Sequence, residues 1–249
     1  MRVAGKLLVV CAVVVLPSPA AAAPVDFPHG TIDQTLTTKR PNAPTGLHFV
    51  GTYHAAGNPD APPPYMRKMT FSGGPSRDTS VPERCTASDA ELAASGAAAC
   101  PEGSRLGAGT SEGLFMGSFP TKVELDVFND TGEQIIVVRS PGLATVSRGQ
   151  IRPDGSVEFA SPTCFPSHAG CPADNSLQLS SDVELPPYVV KRNGKTLSYL
   201  TTPAKCPKSR HWTTTVRFWW SDGSEDTAAI RQPCKRPKVK RRRAVTRRS

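Results

Sequence analysis

Between His211 and Trp220 the chain alternates strictly, with Trp212, Thr214, Val216, Phe218 and Trp220 on one face and Thr213, Thr215, Arg217 and Trp219 on the other. A period of two belongs to a strand and to no helix. The tryptophan-rich face is assigned to the core, because each aromatic ring buries about 150 to 250 Å². Trp219, on the opposite face, is a candidate platform for stacking a sugar. Asp222-Gly223 then turns the chain back through Thr227 to Arg231.

Shorter runs repeat the pattern. Strands are expected at Leu47 to Tyr53 (an edge strand) and Tyr65 to Phe71. Val123, Leu125 and Val127 alternate with Glu124 and Asp126, and Asn129-Asp130-Thr131-Gly132 makes a hairpin turn into Gln134 to Arg139. Arg152-Pro153-Asp154-Gly155 leads into Val157 to Phe159, and further strands are expected at Leu177 to Leu185 and Thr196 to Leu200. No βαβ alternation, Walker loop or GxGxxG is present, which excludes most nucleotide-binding architectures and leaves no cofactor motif. The expected fold is mainly β, an antiparallel β-sandwich of immunoglobulin-like or jelly-roll-like type over residues 46–234, preceded by a leader or linker at 23–45.

One helix interrupts the strands, between Cys85 and Cys100. Thr86 can cap it, Asp89 stands three residues on, Leu92 is an apolar anchor among alanines, and Gly96 is a stop signal. Two to three turns of isolated helix are marginal in water, so a bridge between the flanking cysteines serves as a staple.

Residues 1–22 read as a secretory signal peptide: Arg2 and Lys6, the apolar stretch Leu7 to Leu16, then a run of alanines. After residue 16 no apolar run approaches the roughly 20 residues of a membrane-spanning helix. Cleavage removes Cys11 and leaves Cys85, Cys100, Cys164, Cys171, Cys206 and Cys234. Six cysteines in an exported chain read as three disulfides, and sequence proximity pairs 85 with 100, 164 with 171, and 206 with 234. The metal alternative, Cys164, His168 and Cys171, offers only three nearby ligands.

The formal net charge of +9 is unevenly placed. The segment 235–249 carries nine basic residues and no acid: Lys235, Arg236, Lys238, Lys240, Arg241, Arg242, Arg243, Arg247 and Arg248. With two more in the signal peptide, 19 basic residues remain against 21 acidic ones in the body, so the body is not a basic nucleic-acid-binding domain. The tail reads as a disordered, solvated run whose candidate partner is an anionic cell-wall polymer or lipid surface.

The candidate chemistry is sparse. Gly109-Thr110-Ser111-Glu112-Gly113 matches the G-x-S-x-G nucleophile elbow, but its flanks suggest a loop entering a strand rather than a strand-to-helix turn. The five histidines, His29, His48, His54, His168 and His211, form no paired metal motif, which weakens every mechanism that needs a histidine base. Glu124 and Asp126 share a strand face, as a glycosidase carboxylate pair could, although alternation with Val123, Leu125 and Val127 already explains them as a solvated face. Asp126, Asn129, Asp130 and Glu133 offer calcium ligands, and a hairpin turn asks for the same residues.

Pro82-Glu83-Arg84-Cys85 and, beyond the helix, Cys100-Pro101-Glu102-Gly103-Ser104-Arg105-Leu106-Gly107-Ala108-Gly109 resemble a group of secreted actinobacterial proteins of unknown function. The resemblance continues through Val127-Phe128-Asn129, Pro203 to Cys206-Pro207, Trp212, Phe218 to Gly223, and Pro233-Cys234, and covers residues 60 to 234. It implies a secreted β-rich domain and brings no activity, ligand or catalytic residue with it. The functional expectation is a secreted or cell-envelope-associated, non-catalytic β-sandwich, a structural or binding module. The alternative is a secreted hydrolase acting on carbohydrate or ester substrates.

Overall fold

The computed structural model of the chain describes residues 23–140, 143–160, 163–164 and 176–236. In chain order the strands before the helix are β1 (Val25–Phe27), β2 (Gly30–Leu36), β3 (Leu47–Tyr53), β4 (Met66–Gly73) and β5 (Ser76–Arg77). The helix α1 (Asp89–Ser95) is followed by β6 (Arg105–Phe115), β7 (Phe119–Asp130), β8 (Glu133–Ser140), β9 (Leu143–Ile151), β10 (Val157–Ala160) and β11 (Thr163–Cys164). The chain ends with β12 (Leu177–Leu185), β13 (Val189–Arg192), β14 (Lys195–Ser198), β15 (Leu200–Thr201), β16 (His211–Trp220) and β17 (Glu225–Pro233).

Twelve of these strands form one antiparallel path, β1-β2-β3-β12-β6-β7-β8-β9-β10-β4-β16-β17, and β17 returns against β1 and β2. The result is a nearly closed barrel rather than the expected sandwich. Alternation marks one face of each strand as buried, but it is silent on whether those faces meet across two sheets or around one ring. Two features of the chain favour the ring. The segment expected to be a leader, 23–45, contains the hairpin β1–β2, whose Phe27, Ile32 and Gln34 are buried. It extends the sheet beyond β3, so Leu47 to Tyr53 is an interior strand and not an edge. The second feature is β6, where glycine takes positions at which side chains would meet the neighbouring backbone. A Cβ at Gly107 or Gly109 would overlap the main-chain oxygen of Glu184 or Asp182 on β12. Such close approach lets the sheet coil toward closure.

The inward faces divide the lumen in two. On one side Phe27 stacks on Phe218 at 4.8 Å, with Tyr53 and Trp220 beside them, and this aromatic block fills the space under β1, β2, β16 and β17. Trp212, Val216, Phe218 and Trp220 are buried as the alternation requires, and Trp212 Nε1 donates to the carbonyl of Lys205 at 2.8 Å. On the other side, under β6 to β10, the inward residues include Ser111, Val123, Val138, Thr145 and Ser147, which do not fill the space.

Outside the barrel a second apolar cluster forms where α1 lies over β8 and β9. Leu92, Cys85, Phe128, Ile135, Val137 and Val146 meet there. The N-cap is Ser88, two residues beyond the expected Thr86, and Glu91 closes the capping box by accepting from the Ser88 backbone N–H at 2.8 Å. Gly96 ends the helix as expected. The staple is present as Cys85–Cys100, with Cα atoms 4.9 Å apart, and Cys206–Cys234 joins the approach to β16 to the end of β17. The pairing of Cys164 with Cys171 lies outside the described residues.

Candidate functional site

A barrel of about eight strands has an interior that its own side chains can fill, and more strands enclose more space than they can occupy. Here twelve strands leave a cavity of about 270 Å³ in the half of the lumen not taken by the aromatic block. Its wall is apolar: Phe49 from β3, Met69 and Phe71 from β4, Ile136 from β8, Phe159 from β10 and Val183 from β12. Phe71 meets Phe49 edge-on at 5.4 Å and Phe159 at 6.3 Å, which fixes the rings of that wall. Gly149 on β9 leaves room for the Phe159 ring, which would overlap a Cβ at that position.

The cavity runs between two different ends. Toward the β6–β7 hairpin it is lined by Leu114, Phe115 and Thr121, and Met116 and Phe119 stand exposed at the tip. Toward the opposite end stands Arg77, on the short strand β5 that pairs with β15. Its Nε and Nη1 are buried and have no hydrogen-bond partner among the described residues. Burial depresses the Arg77 pKa, and its one electrostatic neighbour of note is Tyr199. The Tyr199 hydroxyl is also buried without a partner, and burial raises its pKa to about 12. Burial does the same for Tyr53, whose hydroxyl lies 3.3 Å from that of Ser181.

Ser111 faces this lumen from the middle of β6, so the G-x-S-x-G pattern lies within a strand and not on a strand-to-helix turn. Its hydroxyl donates to the carbonyl of Ser180 at 2.5 Å and accepts from Gln178 at 3.2 Å. Gly109 and Gly113 are there because β12 passes too close for a side chain: a Cβ at Gly113 would lie 2.5 Å from the oxygen of Leu177. The histidines of the described residues are engaged elsewhere. His29 pairs with Asp226, His48 with Asp182 at 2.7 Å, His54 with the carbonyl of Ala55, and His211 with that of Ser209. His168 lies outside the described residues.

Glu124 and Asp126 point to the outer surface, and their environments differ. Glu124 is exposed, while Asp126, expected on a solvated face, is only 2% exposed and is held between Arg105 at 2.6 Å and Arg139 at 2.5 Å. The proposed calcium ligands are likewise dispersed. Asp130 accepts from the Thr131 N–H, and Glu133 pairs with Arg148 and Gln150. Asn129 is buried and donates to the carbonyls of Thr79 and Glu83, which ties the segment before α1 to β7. No cluster of three or more metal-ligating side chains occurs among the described residues.

Trp219 lies on the outer face with Lys68 Nζ 4.1 Å from its ring centroid and Arg217 Cζ at 5.2 Å, so cations occupy the ring that was a candidate sugar platform. Of the tail, Lys235 and Arg236 are described and exposed; Lys238, Lys240, Arg241, Arg242, Arg243, Arg247 and Arg248 lie outside the described residues. No helix among the described residues is long and apolar enough to cross a membrane. No protein-family model, curated protein or solved structure matches the chain.

The residues that give the lumen its character were missed in the sequence. Phe49, Phe71 and Phe159 each sit in a predicted strand, but the alternation around Phe71 selects no buried face, and a strand pattern does not distinguish a packed core from the wall of a cavity. Arg77 carries no signal at all, being a single arginine after Gly73-Gly74-Pro75-Ser76.

Proposed function

We propose that the protein is an exported, non-catalytic binding module whose ligand is an apolar small molecule held in the barrel lumen. The observation that carries this reading is the apolar cavity of about 270 Å³ enclosed by Phe49, Met69, Phe71, Ile136, Phe159 and Val183. Ligand sites are concave and mainly apolar, with a few placed polar groups, and this cavity has that composition. Filling apolar space is favourable by about 24 cal/mol per Å³, so a well-fitting ligand has up to about 6 kcal/mol to gain here. An engineered cavity of 150 Å³ takes benzene, which scales to a ligand of roughly ten carbon atoms in this lumen.

The absence of catalysis in this reading is supported by the engagement of the candidate groups. Ser111 is hydrogen-bonded to a backbone carbonyl, and Asp126 is neutralised by two arginines. Export is supported by the signal-like residues 1–22 and by two disulfides, which persist in oxidising compartments. The basic tail adds attraction to anionic envelope polymers or lipid headgroups, screened by salt.

Calorimetric titration of the secreted protein with 1-decanol tests the reading. One saturable site per chain, with a rise in melting temperature that grows with ligand concentration, is expected. No saturable binding of 1-decanol would refute it.

A further inference from the structure

Arg77 is out of keeping with the rest of the cavity. It is a cation at one end of a mainly apolar lumen, and two of its three guanidinium nitrogens are buried with nothing to donate to among the described residues. No carboxylate among the described residues forms an ion pair with it, and Glu112, the carboxylate on the cavity lining, lies toward the opposite end and pairs with Lys122 at 3.6 Å. Lys68, also on the lining, is engaged outside the barrel by Glu158 and the Trp219 ring. Arg77 is half-buried as a residue, and a partly buried charge with no carboxylate partner and two donors unmade is costly to keep. An anion brought against the guanidinium from the lumen supplies the missing partner.

We propose that the ligand is a single-chain amphiphile with a carboxylate head: Arg77 receives the carboxylate, and the wall formed by Phe49, Met69, Phe71 and Phe159 receives the chain. This rests on the lumen-binding reading and specifies it. A carboxylate is favoured over a phosphate because one guanidinium balances one negative charge, whereas a phosphate dianion would leave net charge in an apolar chamber. The roughly ten-carbon capacity of the cavity makes this a medium-chain acid. Arginine remains protonated throughout the ordinary pH range, so ionisation of the ligand sets the pH dependence of binding.

The test compares three probes of one chain length on the full secreted protein at neutral pH: decanoate, 1-decanol and decyl phosphate. Decanoate is expected to bind at least ~10-fold more tightly than decanol, because its head group makes charge-assisted hydrogen bonds that the alcohol cannot. Decyl phosphate is expected to bind no better than decanoate. In Arg77→Met the decanoate affinity falls to that of decanol, while decanol binding is kept. The three-probe comparison on the unmutated protein stands even if Arg77→Met fails to fold. Equal affinities for decanoate and decanol would overturn the role of Arg77 and leave the lumen reading intact. Preference for decyl phosphate would overturn the carboxylate assignment, and binding of none of the three would overturn both readings.

Discussion

The His29 ring donates from Nδ1 to the Asp226 carboxylate at 2.6 Å, joining the β1–β2 turn to β17 at the seam of the barrel. Trp220 Nε1 donates to the same carboxylate oxygen at 2.9 Å, and the His29 and Trp220 rings lie 4.8 Å apart. All three residues are buried. One carboxylate therefore holds both the closing hairpin and the aromatic block in place. Asp226→Ala strands two buried donors and is expected to cost about 2 to 5 kcal/mol. Urea unfolding measures this, and a loss under about 0.5 kcal/mol, the range of ordinary surface changes, would mean that the seam does not depend on the pair.

The two faces of β16 predict unequal costs. Trp220→Ala removes a buried ring and opens a cavity, for about 3 to 5 kcal/mol. Trp219→Ala removes a half-exposed ring with cation contacts worth about 0.5 to 1 kcal/mol each at exposed sites, so its cost is the smaller. Similar denaturation midpoints for the two variants would contradict the inward assignment of Trp220.

Two of the four tyrosines should resist alkaline titration. Tyr53 and Tyr199 have pKa values raised by burial to about 12, against an unfolded value of 10. A raised folded-state value means that their contribution to stability is complete below pH 10 and is lost as pH rises toward 12. Absorbance at the phenolate band is expected to show Tyr53 and Tyr199 ionising only near pH 12 or with unfolding, and Tyr53→Phe and Tyr199→Phe each remove one such step. Ionisation of these two phenols near pH 10 in the folded protein would place both hydroxyls in solvent.

The helix cap has the opposite pH dependence. Hydrogen bonds from the Ser88 backbone N–H and hydroxyl hold Glu91 below the usual carboxylate range. Its folded-state value is depressed, so its stabilisation is present above the unfolded value and disappears as pH falls through the folded one. Glu91→Gln is therefore expected to be less stable than the parent chain at neutral pH, with the difference closing in acid. A difference that stays constant with pH would assign it to something other than the capping carboxylate.

The disulfides should not contribute equally. Cys206–Cys234 spans 28 residues and Cys85–Cys100 spans 15, which in the chain-entropy model gives about 3.6 against about 3.0 kcal/mol. The longer bridge also fixes the loop that receives the Trp212 N–H. Removing it as a Ser pair should lower the melting temperature more than removing the helix staple, and the reverse order would locate the critical restraint at α1.

The strands were legible because most show one buried and one wetter face. β16 begins and ends at His211 and Trp220 as its alternation predicts, and the β7–β8 hairpin follows from Asp130-Thr131-Gly132. Helix α1 was legible from Leu92 and Gly96, but its cap was displaced, since both Thr86 and Ser88 are capping residues and only the latter has a glutamate three residues on. Closure was not legible, because it depends on which strands become neighbours: β12 beside both β3 and β6, and β4 between β10 and β16. The leader concealed two strands for a related reason. Its Pro, Gly, Asn and Ala residues read as linker, while Phe27 and Ile32 are buried only once β17 comes round to meet them. The candidate site was the least legible, because a cavity is a property of packing around a ring and leaves no local pattern.

If a ligand occupies the lumen under β6 to β10, filling that space abolishes its binding. Val138 lies on the cavity lining, and Val138→Trp places an indole in the space a ligand would take without touching the aromatic block. Calorimetric titration of 1-decanol into the parent protein and this variant, with circular dichroism to verify the fold, is the decisive comparison. One saturable site in the parent and none in the folded variant is the predicted result. Equal binding by the two proteins would place the ligand elsewhere and contradict a lumenal site.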